Sequence, residues 1–186
     1  SVIIASTDKS YGSYKVDMMP YKEDYPLKAL YPYDVSKACG DMIARSYASD
    51  LYNLPVVVTR FSNIYGPGQL NFSALVPDAI RSALGYSQFI PRGDGTNLRD
   101  FLYIEDVVSL YTIIGKELAV NPSQYSGEVF NAGTNSPTTV ESILNSIFGI
   151  IGNESDLINI KKQMKLSGTK GEIDYQYMDY AKAYKH

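Results

Sequence analysis

PVVVTRFSNIYGPGQ, residues 55–69, begins with a proline and three consecutive valines. A β-branched run with no polar alternation predicts a short strand buried on both faces, as parallel sheets require. The strand runs on through Thr59, Arg60 and Phe61, and Gly66, Pro67 and Gly68 mark a turn-rich loop behind it. Residues 2–5, VIIA, read as a second buried strand, which breaks abruptly into Ser6, Thr7, Asp8 and Lys9.

Between these strands, residues 10–32 are irregular, and Pro32 suits a helix start. From residue 33 to about residue 53, Val35, Cys39, Met42, Ile43, Tyr47 and Leu51 share one helical face, and Pro55 ends the helix. That face has to bury against another surface, the parent sheet being one candidate. Downstream, Ser73 is positioned to cap a helix carrying Val76, Ala79, Ile80, Ala83 and Leu84, closed by Gly85. Phe89 and Ile90 suggest a short strand, residues 92–97 a turn, and residues 101–103 an extended segment. Residues 105–118 read as a helix with Val107, Val108, Tyr111 and Ile114 inward, and Val129 and Phe130 as another strand. Thr138 and Glu141 have capping-box spacing ahead of an amphipathic helix containing Val140, Ile143, Leu144, Ile147, Phe148 and Ile151. Residues 157–160 suggest a strand, and a last helix begins near Asp179. Strands alternating with helices favour an α/β fold with a parallel sheet.

Composition narrows the function. The 186 residues are 45% apolar and 20% charged, an ordinary globular balance. A net charge of −3 without like-charge blocks lacks the basic footprint of a nucleic-acid binder. No apolar run reaches membrane-spanning length, so no membrane partner is expected. The lone cysteine, Cys39, cannot form an internal disulfide, which suggests a reducing, cytoplasmic setting. The single histidine, His186, is the last residue, which argues against histidine catalysis and against a metal site.

Tyr33 and Lys37 lie four apart on the expected helix and share a face. A tyrosine ordinarily holds its proton to about pH 10. A neighbouring ammonium favours the phenolate, and such a pair can take a proton from a sugar hydroxyl while hydride leaves the same carbon. The spacing alone also fits an ordinary solvated helix.

Four stretches occur in order: STDK (residues 6–9), YPYDVSK (residues 31–37), PVVVTRFSNIYGPGQ (residues 55–69) and RGDGTNLRDFLYIEDVV (residues 92–108). As a set they resemble the extended short-chain dehydrogenase/reductase family, the NAD-dependent sugar-nucleotide epimerases and dehydratases. The resemblance implies that Thr7, Tyr33 and Lys37 form the catalytic core, with Tyr33 and Lys37 also on the cofactor. It places Ser62 near the nicotinamide, and Asn63 and Leu75 on the substrate. Arg92 and Asn131 would line the nucleotide and ribose, and Arg99 would pair with the pyrophosphate through its planar donor fork. Arg99 has a structural reading too, as partner of Asp100 or Asp106, and Asp106 itself suits a helix N-terminus.

Within that family the residues after the catalytic hydroxyl separate two chemistries. Epimerases usually carry small or apolar residues there, whereas 4,6-dehydratases carry an acid. Asp8 and Lys9 therefore make the chain most like a dehydratase, and Lys9, together with residues 171–183 more loosely, resembles the CDP-glucose type. The implied reaction oxidises C4 with NAD, removes the C5 proton, expels the C6 hydroxyl and returns hydride to C6. Tyr33 would serve C4, a protonated Asp8 the leaving hydroxyl, and an uncharged Lys9 the C5 proton. The plainer reading of Asp8 and Lys9 is a surface turn holding a weak ion pair.

The family's Gly-rich cofactor turn has no match in these 186 residues: neither GPGQLN nor GDGTNL completes the GxGxxG pattern. The chain is thus expected to be the C-terminal portion of a Rossmann-type parallel sheet domain (residues 1–66 and about 97–135) plus most of a smaller α/β substrate-binding domain (about 67–96 and 136–186). Alone it should bind NAD poorly. A homodimer built on the Tyr33 helix is implied for the intact enzyme. The alternatives are a nucleotide-sugar 4-epimerase and a non-catalytic nucleotide-sugar-binding remnant.

Overall fold

A computed structural model describes residues 1–167 and 172–186. Its strands are β1 (Val2–Thr7), β2 (Val56–Phe61), β3 (Asn63–Tyr65), β4 (Leu98–Arg99), β5 (Phe101–Tyr103), β6 (Val129–Ala132), β7 (Thr138–Thr139) and β8 (Tyr175–Gln176). Its helices are α1 (Pro32–Tyr47), α2 (Leu75–Ala83), α3 (Ile104–Val120), α4 (Pro122–Tyr125), α5 (Val140–Ile151), α6 (Glu154–Met164) and α7 (Ala181–Lys185).

The valine run becomes the centre of a parallel sheet ordered β1-β2-β6, with Val2 opposite Val56 and Val58 opposite Val129. Val56 and Val58 pack with Ala44 of α1, while Val57 packs with Ile114 and Leu118 of α3. Helices on both faces are the reason no polar residue interrupts the run. Two smaller sheets flank it among the described residues: parallel β3–β5, and β4 between antiparallel β7 and parallel β8.

Helix α1 corrects the sequence reading. It ends at Tyr47, and the face turned to the sheet carries Asp34, Ala38, Asp41 and Ala44. Val35, Cys39, Met42, Ile43 and Tyr47 are exposed, as is Leu51 beyond the helix. Small side chains let the helix axis approach the sheet, and Asp41 is drawn inward by Arg60 of β2, whose Nε and Nη2 donate to it at 2.8 and 3.1 Å. Apolar periodicity could not register a face selected by closeness and charge.

A second core joins α2, α5 and α6 through Ala79, Phe89, Leu144, Phe148, Leu157 and Ile160. Residues 157–160 are therefore helical, not a strand: Leu157, Ile160 and Met164 are the buried face of α6. Short apolar runs fit either period, and packing on Phe148 decides this one. Phe89 is buried but forms no strand, its amide donating to Ser82 Oγ at 3.1 Å. Ser73 caps nothing; it donates to Asn71 Oδ1, and α2 starts after Ala74 without a side-chain cap. At α5 the cap is Thr139, one residue later than expected, accepting from Ser142 N at 3.1 Å. Glu141 pairs instead with Lys161 at 3.0 Å. No helix among the described residues is long and apolar enough to cross a membrane.

Candidate active site

The C-terminal ends of β1 and β2 open into a cavity of about 610 Å³, with Tyr33 and Lys37 of α1 on one side and α2, residues 89–97 and β4 on the other. Parallel sheets bind ligands at this edge because strand ends and helix N-termini converge there. Thr7, Asp8, Lys9, Tyr33, Lys37, Ser62, Asn63, Leu75, Arg92 and Arg99 all line the cavity.

β1 ends at Thr7, and a single 3-10 turn, Asp8–Tyr11, follows. Thr7 Oγ1 accepts from Lys9 N at 3.4 Å and donates to Asp8 Oδ1 at 3.1 Å. Asp8 is 2% exposed, and Gln176 Nε2 donates to its Oδ1 at 2.7 Å. Its Oδ2 is buried with no partner among the described residues. Burial pushes the Asp8 carboxyl up to about 6, against the lowering pulls of Gln176, Thr7, Lys9 and Arg99. Buried Asp8 is therefore no solvated surface pair with Lys9. The same ammonium also pulls down buried Asp34, which burial raises.

The turn is anchored at its far end. Arg60 Nη1 donates to the Tyr11 hydroxyl at 2.7 Å, and that hydroxyl donates to Asn131 Oδ1 at 2.7 Å. Asn131 is fully buried; its amide donates to Tyr21 O and its backbone N–H to Glu23 Oε1. It is not among the cavity-lining residues, which corrects its expected place on the ribose. Its side chain is spent on holding the Tyr11 and Tyr21 segments.

Tyr33 departs from the expected electrostatics. Partial burial and then the Asp8 and Asp34 carboxylates raise its phenol above the ordinary value. Lys37 does not offset this: its Nζ donates to the Ala5 carbonyl at 3.4 Å. Ser62, just past β2, is buried with its hydroxyl unpartnered. Asn63 Nδ2 donates to Asp100 O at 3.1 Å. Leu75 opens α2, and exposed Arg92 reaches Ser73 O at 3.4 Å. Arg99 is 8% exposed and donates to Glu172 Oε2 at 2.9 Å, Ile173 O at 2.6 Å and Leu98 O at 2.9 Å. Neither Asp100 nor Asp106 is its partner: Asp100 accepts from Thr134 and Asn135, and Asp106 lies in the first turn of α3. Gln176 and Glu172 have no signal in the local sequence. They reach the site only because β8 pairs with β4, setting Gln176 opposite Arg99.

Comparison with known proteins agrees with the fold. The model of the NAD dependent epimerase/dehydratase family matches residues 1–133. A trifunctional UDP-glucose 4,6-dehydratase/UDP-4-keto-6-deoxy-D-glucose 3,5-epimerase/UDP-4-keto-L-rhamnose-reductase of Arabidopsis thaliana is 33% identical over 155 residues, 83% of this chain and 22% of that protein. The crystal structure of dTDP-glucose 4,6-dehydratase from Bacillus anthracis in complex with NAD superposes with a TM-score of 0.80 at 32% identity, over 98% of this chain and 54% of that one. A UDP-glucose 4-epimerase from Thermotoga maritima, solved with UDP-glucose, gives a TM-score of 0.79 at 28% identity, over 98% and 55% respectively. The chain thus spans about half the length of these solved relatives and less of the curated one.

Proposed function

Because the chain belongs to the NAD dependent epimerase/dehydratase family, we propose that its cavity serves an NAD-dependent nucleotide-sugar 4,6-dehydratase. The observation that carries the reading is Asp8: a buried carboxyl with a raised proton affinity, one oxygen unpartnered, beside Lys9 at the cavity wall. An epimerase needs no acid at that position. The T. maritima relative keeps 4-epimerisation as the competing reading.

The residues present suit the nicotinamide end of NAD. Ser62 offers an unpartnered buried hydroxyl, and Tyr33 and Lys37 line the same cavity. When bound, NAD supplies the hydride acceptor for C4 and the hydride donor for C6. Tyr33 takes the C4 hydroxyl proton, with the Thr7 hydroxyl beside it in the cavity. Oxidation at C4 acidifies C5, whose proton passes to the side-chain amine of Lys9. The C6–O bond then breaks, and Asp8 gives its proton to the leaving oxygen, which departs as water. Asn63, Leu75 and Arg92 would hold the nucleotide sugar. Arg99 would pair with the diphosphate by exchanging Glu172 for it. Lys9 favours a CDP-linked sugar over the dTDP- and UDP-linked sugars of the relatives.

Residues 1–66 and about 97–135 are assigned to the cofactor domain, and the rest to substrate binding. The exposed Val35, Met42, Ile43 and Tyr47 stripe supports a homodimer through α1, in the reducing, cytoplasmic setting that Cys39 suggests. Sedimentation equilibrium showing only monomer would sink the dimer.

Product analysis tests the function. A catalytically competent form given NAD and CDP-, dTDP- or UDP-glucose is expected to yield a 4-keto-6-deoxy sugar. A C4 epimer would overturn the reading, and nucleotide-sugar binding without turnover would favour the remnant. Lys9→Met is expected to block solvent-deuterium incorporation at C5 while C4 oxidation survives. Full exchange in that variant would remove Lys9 as the base.

A further inference from the structure

We propose that Gln176 is the positioning residue of Asp8: its side-chain amide holds Oδ1 as an acceptor and confines the carboxyl proton to Oδ2. The proposal rests on Asp8 as the acid and adds the residue that aims it. Gln176 and Asp8 lie 168 residues apart, are 1% and 2% exposed, and meet at 2.7 Å. Thr7 Oγ1 donates to the same Oδ1 at 3.1 Å. An oxygen that already accepts from two donors has no open direction for a proton of its own, whereas Oδ2 has no partner among the described residues. The protonated acid therefore carries its proton on Oδ2, the one oxygen of this carboxyl that accepts from no donor among the described residues.

The amide is itself immobilised. Gln176 ends β8, opposite Arg99, and its carbonyl accepts from Asp100 N at 3.1 Å. Next along the chain toward the N-terminus, the Tyr175 carbonyl accepts from the Tyr21 hydroxyl at 3.1 Å. On the C-terminal side of Gln176, Met178 pairs with Tyr21 in a parallel bridge. The C-terminal segment thus grips the Asp8 turn, and one strand pairing places Arg99 and orients Asp8 together.

The charged and titratable groups that face Asp8 are Lys9 from its own turn, Arg99 from β4, Tyr33 from α1 and Tyr21, with the Gln176 amide from β8. An amide that donates favours the carboxylate, and one that accepts favours the acid. The test is a pH titration of the aspartate carboxyl carbons by isotope-edited NMR, the Asp8 signal being the one lost in Asp8→Asn. In Gln176→Met the Asp8 midpoint is expected to rise by on the order of one pH unit, because a donor to the anion has gone. A fall would mean that Gln176 accepts from Asp8, and an unchanged midpoint would mean no coupling; either overturns the proposal. Should the variant not fold, the unsubstituted chain still reads it: the Gln176 side-chain amide protons are expected to titrate with the Asp8 midpoint, and to stop in Asp8→Asn. Flat amide shifts would overturn it. These readouts need no turnover, so they separate the failure of this proposal from a failure of the dehydratase reading.

Discussion

Asp8→Asn is expected to make the protein more stable near neutral pH and, on the proposed dehydratase reading, to slow elimination. The folded value of about 6 stands above the ordinary 3.8, so the native state binds this proton more tightly than the unfolded chain does. The stability that the proton contributes is fully present below about pH 4 and is lost as the pH rises through about 6. A displacement of about two pH units corresponds to about 3 kcal/mol. That is the cost, at neutral pH, of an ionised carboxylate with one oxygen sealed from water. Asparagine keeps the shape, still offers Oδ1 to Gln176 and Thr7, and carries no charge. Urea unfolding is expected to show a gain of up to about 3 kcal/mol near pH 7 and a flatter profile between about pH 4 and 6. If Asp8 is the general acid of the proposed dehydration, elimination is expected to slow by about 10²- to 10⁴-fold, the usual worth of such a group. A variant whose stability follows the parent at every pH would show that burial does not govern Asp8.

Asp41→Ala is expected to destabilise the chain by about 3–5 kcal/mol in the same assay, because it strands Arg60 as an unpaired buried charge. The two side chains are 0% and 1% exposed and meet through two hydrogen bonds. Arg60 also holds the Tyr11 hydroxyl and the Glu23 carbonyl, so its release loosens the turn that carries Asp8. The double change Asp41→Leu with Arg60→Met is expected to recover much of the loss, since no charge is left behind. The half-exposed Lys161–Glu141 pair, by contrast, is worth under about 1 kcal/mol. An Asp41→Ala variant no weaker than one lacking that surface pair would show that the buried pair does not hold α1 to the sheet.

The sheet strands were legible because Val56, Val57 and Val58 must satisfy two faces at once, and only a strand sandwiched by helices asks for that. Spacing puts Tyr33 and Lys37 on one helix face, but the site roles of these two, of the Thr7-Asp8-Lys9 turn and of the rest are legible only through the family resemblance, and ten of the eleven expected site residues do line one cavity. Helix α1 was misread: its apolar stripe faces outward and its small and acidic stripe faces inward. Periodicity reports which residues are alike, while Asp41 faces inward because Arg60 lies beneath it. Nothing local to Asn131 signals that its side-chain hydrogen bonds are consumed by Tyr11 and Tyr21. Residues 157–160 looked like a strand because four positions cannot distinguish a period of 2 from one of 3.6.

The amino-acid order by itself determined the α/β class, the central parallel strands, the Tyr33–Lys37 helix and the acid-amine turn after Thr7. Each is a local matter of side-chain shape, backbone preference and spacing of a few residues. Only the tertiary structure decided that Asp8 is buried with a raised proton affinity, that Lys37 is turned to Ala5, and that Gln176 and Glu172 join the site from the far end of the chain. Desolvation and hydrogen bonding depend on what lies within a few ångströms in space. For Asp8 that neighbour is 168 residues away, where no local pattern reaches.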